Sequence, residues 1–504
     1  MSEQSSYQQI LRSSSIMGGS QAITHLVSLL RVKAVAVLLG PAGVGVVGLY
    51  TTTMNLATEV TGLGLQRSAV RAIAQAHAHN DPIAVARAIR MLRRLCWATG
   101  IMGWLACVAL AIPISRMLFE STAHAWAIAI LGCTVLLNAI NGGQMALLRG
   151  LRRIGDIARA QVASALINTL LIVAMYAWLR ERGIVPVLVA SAAISLTMSW
   201  WFVRRVEVAD ITMTWREAVD EAKPMISLGV ALMISSALAA ALEFYTRAIL
   251  SRDHGLATVG IYQAAWSLSG MFAGFVLSAM GTDFYPRLAA VIDDRVAAAR
   301  EINQQTEVGI LLALPGLLVT LAFAKWVVWI LYSAAFAPAA NVLTWMILGV
   351  FGRVVSWPLG YIQVAMNAKR WYLATEVFFI AIQAGLVAWW VPRYGALGAA
   401  YAFFACFASY FLAMVWVAHR LLGFRHSPAA RRLIAISTLL LSAAMAANHL
   451  LGEPASLAIG ALLALLTGFW CLRELAHRLG NGHRLIRQAR RVPGLARIMG
   501  NRDA

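Results

Sequence analysis

Long apolar runs alternate with short basic stretches along the whole chain. A hydrocarbon core of about 30 Å is crossed by about 20 helical residues. On that measure the pattern predicts an all-α polytopic membrane protein with about fourteen transmembrane helices. They fall near residues 14–39, 44–66, 95–116, 124–148, 158–179, 184–203, 223–250, 258–284, 307–331, 338–364, 371–391, 397–419, 432–451 and 455–472. The first run is too long for a cleavable signal, carries Arg31 and Lys33, and has no clear small-x-small cleavage site. It reads as the first span. The string Val47-Gly48-Leu49-Tyr50 returns as Val259-Gly260-Ile261-Tyr262, 212 residues later, and Gly183 and Gly395 keep the same offset. Six spans separate the copies, which predicts two pseudo-symmetric six-helix bundles of like orientation plus two C-terminal helices. The expected organisation is an N-terminal lobe over 1–203, a linker over 204–222, a C-terminal lobe over 223–420, two extra helices over 421–472 and a basic tail over 473–504.

Composition changes the picture in one respect: it names the solvent. The chain of 504 residues is 60% hydrophobic and 13% charged, half the charged share of a soluble domain. Its net charge of +20 would suggest nucleic acid in a soluble protein. Here the basic residues occupy loops between apolar runs, which sets topology instead, and no nucleic-acid partner is expected. Of 42 Lys and Arg residues, only Arg116, Arg180, Arg182, Arg252 and Arg393 fall in the loops opposite the N-terminus. Arg31, Lys33, Arg247, Lys325 and Arg353 fall within spans. The rest share the N-terminal side, so both termini are expected in the cytoplasm. Arg87, Arg90 and Arg94, and again Arg484, Arg487 and Arg491, recur at helical spacing and suit helices lying on anionic lipid. The outer loops are short, which disfavours a membrane enzyme with a catalytic outer loop. Cys96, Cys107, Cys133, Cys406 and Cys471 have no paired spacing and read as small core residues, and no metal site is expected.

Ionisable groups inside a membrane are costly unless they meet partners or water. In span 1, Gln21, His25, Ser28 and Arg31 form one stripe, with Lys33 off it; in span 2, Thr51 or Thr52, Asn55, Glu59, Gly62 and Gln66 form another. Span 7 carries Ser236, Glu243 and Arg247, the last two at ion-pair spacing, and span 4 carries Thr134, Asn138 and Asn141. Span 10 carries Arg353, Ser356, Gly360, Gln363 and Asn367. Single Ser, Thr and Gly residues read as packing between helices. Arg31, Lys33, Arg247 and Arg353 read as lining a hydrated cavity, since four desolvated cations are expensive packing. Their acidic counterparts are Glu59, Glu243, Asp283 and Glu376, and Lys325 and Asp283 lie near span ends. The basic bias predicts attraction for a phosphate or another anion. No nucleotide-binding loop, nucleophile elbow or dinucleotide fingerprint is present.

Leu39-Gly40-Pro41-Ala42-Gly43-Val44-Gly45 after a basic first span resembles the polysaccharide transporter family of the MOP superfamily, which includes the Wzx-like O-antigen flippases. Lys33 before Gly40, Arg247 before Gly260-Ile261-Tyr262-Gln263, and Gly395-Ala396-Leu397-Gly398-Ala399-Ala400 fit the same pattern. The resemblance covers about residues 10–420. It implies a two-lobed MATE-like fold in the bacterial inner membrane and a flippase, not an enzyme. The implied cargo is an undecaprenyl-diphosphate-linked glycan, an O-antigen or exopolysaccharide repeat unit, moved from inner to outer leaflet by alternating access. In that scheme Arg31, Lys33, Arg247 and Arg353 hold the diphosphate, and Asn55, Gln21 and Gln263 contact sugar or headgroup. Glu59, Glu243 or Asp283 couple H+ or Na+, no other cofactor is expected, and partners include anionic membrane lipids and the polysaccharide polymerase and chain-length machinery. A lipid II flippase and an ion-coupled multidrug exporter of the same superfamily are the alternatives.

Overall fold

Every element among the described residues is helical. The structure is a computed structural model that describes residues 3–479, without the side chains of residues 3–16, 67, 218–220, 224–225, 227–228, 231–232, 275, 279, 282–283, 477 and 479. The helices are α1 (Glu3–Thr61), α2 (Leu65–Ala78), α3 (Pro82–Ala109), α4 (Ala111–Phe119), α5 (Ala125–Gly150), α6 (Ile154–Leu179), α7 (Ile184–Val203) and α8 (Trp215–Val291). They continue with α9 (Arg295–Ala322), α10 (Ala324–Leu331), α11 (Ala339–Ala365), α12 (Lys369–Tyr394), α13 (Ala396–Leu422), α14 (Pro428–Leu450) and α15 (Glu453–Leu479).

Three apolar runs, Met17–Thr61, Ile154–Val203 and Met233–Ser278, hold 45, 50 and 46 residues. At about 1.5 Å per residue each is roughly 70 Å long, enough for two crossings of a core of about 30 Å. Each is divided by a backbone break. Gly40 (φ 65°, ψ −175°) breaks α1, Gly255 (φ 79°, ψ 173°) breaks α8, and Arg180 (φ 53°, ψ −133°) ends α6. Pro41 follows the first break, where its missing N–H costs nothing and its fixed φ starts the next segment. Helices α3 and α4 meet at 60° and form one broken crossing. With the other seven apolar runs, the described residues hold fourteen crossings.

The breaks also fix the repeat. Gly40 pairs with Gly255, Arg180 with Gly395 (φ 56°, ψ −132°), and Arg152 (φ 54°) with Asn367 (φ 52°). Each pair is 215 residues apart, not the 212 of the short strings. Backbone geometry therefore aligns Val44-Gly45 with Val259-Gly260, one near-turn away from the register the strings suggested. Asp81 and Asp294 cap α3 and α9 in the same manner: each Oδ1 accepts from two backbone N–H groups at 2.9–3.1 Å. A cap of this kind is worth about 1 kcal/mol.

The chain divides into two compact units. The first comprises Met1–Gly260 and Ile330–Ala335. One of its cores joins Leu65, Ile73, Leu92 and Leu148 from α2, α3 and α5; another joins Leu39, Tyr50, Leu131 and Tyr176 from α1, α5 and α6. In this unit Arg87 and Arg90 of α3 form ion pairs with Glu221 and Asp210, and Arg94 stacks over Trp215 at 5.2 Å. Three of the helically spaced arginines thus engage the segment after α7 and the first turns of α8. Arg484, Arg487 and Arg491 lie outside the described residues.

The second unit holds Ile261–Trp329 and Phe336–Ala504, with a core around Phe284, Leu288, Leu359, Met414 and Phe424. Here α15 lies along α9, and Gly460 lets it approach Ala322 closely. Both ends of the extra pair are tied down. At one end Lys325 Nζ meets Glu453 Oε1 at 2.7 Å, and Asn448 Nδ2 donates to the Leu321 carbonyl at 2.8 Å. Lys325, expected only near a span end, is therefore a tie to α15. At the other end Glu307 accepts from Ser427 Oγ at 3.0 Å and pairs with Arg478. Glu307→Leu removes that junction and is expected to cost about 1–2 kcal/mol. Thermal unfolding of the detergent-solubilised chain reads it, and an unchanged midpoint would show that the tie carries no stability.

Candidate functional site

In the first segment of α1, Ile23, Leu26, Leu30 and Val37 are exposed along one side. Gln21 and His25 are exposed as well, and at 3.6 residues per turn they fall on the opposite side with Ser28. A membrane helix exposed on two opposite sides, one apolar and one polar, faces lipid with the first and water with the second. Arg31 flanks the polar side, half-buried, with Nη2 at 3.5 Å from Ser28 Oγ. Lys33 is half-buried and lies nearer the apolar side. Beyond Gly40, Thr51 and Asn55 are exposed and Glu59 is half-buried on one stripe, whereas Thr52 and Thr53 are buried. Thr51 is thus the stripe member.

Arg247 of α8 is 2% exposed. Its Nη1 donates to the Glu243 carbonyl at 3.1 Å and lies 3.4 Å from Glu243 Oε2. The spacing of one helical turn brings this pair together, as the sequence suggests. Ser236 on the same helix closes its own turn by donating to the Met233 carbonyl at 3.2 Å. Among its intramembrane charges the first unit therefore holds Arg31, Lys33 and Arg247 against Glu59 and Glu243. In α5, Thr134 bonds back to the Leu131 carbonyl at 2.6 Å, and Gln66 packs so tightly on Gly142 that a Cβ there would lie 1.9 Å from Gln66 Nε2.

The second unit divides its own stripe. Arg353 is exposed, with its guanidinium 5.8 Å from the centre of the Phe407 ring. Ser356 is fully buried and returns its hydroxyl to the Gly352 carbonyl at 2.8 Å. Gln363 is 2% exposed and accepts from Thr375 Oγ1 at 3.2 Å. These two fill packing positions rather than a water-facing surface. Asn367 forms the turn after α11. Gln263 Nε2 donates to Ser267 Oγ at 3.1 Å on its own helix. The side chain of Asp283 lies outside the described residues.

Two clusters escape sequence reasoning because their members are far apart in the chain. The Tyr50 hydroxyl meets His124 Nδ1 at 2.7 Å, and His124 stacks on Phe119 with ring centres 3.9 Å apart. Between α6 and α7, Asn168 Nδ2 donates to Ser195 Oγ at 3.3 Å. Asn168 Oδ1, Thr169 Oγ1 and Ser191 Oγ are buried there without a hydrogen-bond partner among the described residues. The signal that could have found the second cluster is the polar spacing of α6 and α7, which the basic spans overshadow.

The family model for polysaccharide biosynthesis proteins matches residues 10–292, more than half of the chain. The lipid III flippases of Escherichia coli (strain K12) and Shigella flexneri are each 23% identical over 390 residues, covering 75% of this chain and 91% of theirs. Among solved structures, the lipid II flippase MurJ in an inward closed conformation aligns with a TM-score of 0.67 at 11% identity, covering 92% of this chain and 99% of that one. An inward-facing multidrug resistance MATE transporter of the MOP superfamily aligns at 0.61 and 16% identity, over 79% and 95%. A multi-pass membrane chain with these spans and this match belongs to the polysaccharide biosynthesis protein family and has the fold of the MOP-superfamily transporters.

Proposed function

We propose that this chain is a flippase that carries a polyprenyl-diphosphate-linked oligosaccharide across the bacterial inner membrane. The observation that carries the reading is Arg247, a guanidinium 2% exposed inside a span, in a unit where Arg31, Lys33 and Arg247 outnumber the carboxylates Glu59 and Glu243. Such a group suits a diphosphate, because its planar fork donates two parallel hydrogen bonds to phosphate oxygens. The polar side of α1, with Gln21, Arg31 and, past the break, Asn55, offers the headgroup a wet path while lipid stays on the apolar side. Lys33, nearer the apolar side, and in the second unit Arg353 and Gln263 are further candidates for contact with the cargo, each taken within its own unit. Glu59 and Glu243, and Asp283, are the candidates for coupling to H+ or Na+. The family match and the two lipid III flippases support a lipid-linked glycan as cargo. Within that class an O-antigen or exopolysaccharide unit is the reading we adopt. The alternative, lipid II, draws support from the alignment with MurJ over 92% of this chain.

The basic loops support both termini in the cytoplasm, and on that reading the end of the first unit bearing Gly40 and Gly255 is the outer one. The lipid tail follows a groove of about 590 Å³ between α14 and α15, lined by Leu433, Ile436, Leu440, Leu463, Leu466 and Trp470, with Arg432 and Arg478 at its cytoplasmic end. Leu440→Trp narrows that groove. It is expected to lower export about tenfold with protein level unchanged, the cost of roughly one lost methylene-scale fit. The function itself is tested by reconstitution. Proteoliposomes holding the purified chain are expected to move a fluorescent polyprenyl-diphosphate oligosaccharide between leaflets, read by quenching from outside. No movement of that lipid, with export of a cationic drug instead, would replace this reading by the exporter.

A further inference from the structure

At the end of the first unit that bears Gly40, two segments meet without side chains between them. A Cβ on Gly260 would lie 1.8 Å from the Pro41 carbonyl oxygen, and one on Gly45 would lie 2.1 Å from the Leu256 carbonyl oxygen. The contact is reciprocal under the 215-residue repeat: Pro41 and Leu256 exchange roles, as do Gly45 and Gly260. Residues 41–45 of α1 and 256–260 of α8, both within the first unit, are thus closed against each other at this end. Five residues beyond Gly45 on α1 stands Tyr50, 2% exposed, whose hydroxyl meets His124. His124 stacks on Phe119, and Phe119 packs on Tyr50 at 5.6 Å. The neighbouring Leu118 carbonyl accepts from Ser251 Oγ of α8 at 2.6 Å. One cluster therefore spans α1, α4, the start of α5 and the end of the first part of α8.

We propose that His124 is a proton-binding group, acting from the outer aqueous face, that governs release of this closure. The proposal rests on the orientation given under Proposed function. With its ring proton on Nε2, the neutral imidazole accepts the Tyr50 hydroxyl at Nδ1. A proton on Nδ1 turns it into a donor, so the phenolic hydrogen loses its acceptor where no water reaches it, and a charge appears on a half-buried ring. Stacking on Phe119 offsets part of that cost. The ionisable groups nearest the cluster on the packed elements are Arg116 and Glu120 at α4, one of each sign, and on α8 His254 and Arg252, the latter paired with Asp253 at 2.7 Å. Among the described residues the Tyr50 and His124 side chains hydrogen-bond only to each other, so none of these groups replaces the lost acceptor.

Burial holds the His124 imidazole below its ordinary value near 6.5. In a separated, hydrated state it returns toward that value and binds more protons. The closed state therefore keeps its full stability above the ordinary pKa and loses it as the outer pH falls below it. This sign favours opening on the acidic side of a bacterial membrane. His124 acts through Tyr50 and the glycine crossing and is a positioning residue.

The test uses the full chain with its five native cysteines replaced by alanine and Val44→Cys, a buried position beside the crossing, in right-side-out vesicles. An impermeant maleimide reports its labelling relative to Glu181→Cys, exposed at the same end. Between about pH 7.5 and about pH 5.5 the ratio is expected to rise about tenfold, within the limit set by one linked proton. His124→Gln, which still accepts from Tyr50 but does not titrate, is expected to hold the ratio low at both pH values. Tyr50→Phe is expected to hold it high at both. A flat ratio in the parent, or an undiminished pH response in His124→Gln, overturns the proposal. Labelling of Glu181→Cys only in inverted vesicles would instead overturn the orientation, which separates the two failures.

Discussion

Arg247→Ala is expected to lower glycan export at least about 100-fold at normal protein level. Two terms add. The substitution removes a charge-assisted fork toward phosphate, worth about 1.5–3 kcal/mol, and 2.7 kcal/mol is a factor of about 100. It also leaves Glu243 without the guanidinium at 3.4 Å, within a span where an unpaired carboxylate is costly. Arg247→Lys separates them: it keeps a charge near Glu243 but loses the planar fork, so its loss should lie between those of the parent and the alanine variant. Glu243→Gln removes the partner and leaves the cation for the diphosphate, and a loss of no more than about tenfold is expected. Surface glycan, measured with chain abundance in the same cells, reads all three. Unimpaired export by Arg247→Ala would exclude a diphosphate site at this residue.

Gly260→Val is expected to abolish export just as fully, for a steric reason. Its Cβ would meet the Pro41 carbonyl oxygen at 1.8 Å, a side-chain atom fixed by the backbone against a backbone atom. No rotamer relieves it, so the crossing must part by more than an ångström and the end stays open. Gly45→Val makes the reciprocal clash with the Leu256 carbonyl and is expected to match it. Once either substitution has parted the segments, the other has little left to disturb. The double variant should therefore lose scarcely more than each single one, a departure from additivity that separate defects would not give. Cells carrying the three variants at equal abundance decide it; wild-type export by Gly260→Val would mean the crossing plays no part in the cycle.

Most of the fold was legible because a hydrocarbon solvent leaves few options. Twenty apolar residues must form a helix in lipid, and each loop shows its charge openly. The fourteen crossings follow from that alone. Register was harder. The repeated Val-Gly-x-Tyr strings gave an offset three residues short, since side-chain identity drifted while the left-handed breaks at Gly40 and Gly255, and the matching breaks at Arg180 and Gly395, kept their places. The Glu243–Arg247 pair was legible from spacing within one helix. The span 10 stripe was only partly so: helical periodicity put Arg353, Ser356 and Gln363 on one face, but cannot say that α12 covers Gln363 through Thr375. Tyr50 and His124, 74 residues apart, carry no mutual signal in one sequence.

The self-matching crossing of Gly45 and Gly260 has a bearing on ancestry. A contact that maps onto itself under a half-turn is the isologous interface of a homodimer. Two half-length chains packed through Gly45-type residues would make it without any further adaptation. In this chain the reciprocal contact lies inside a single polypeptide, where a side chain at either glycine strikes the backbone packed against the other.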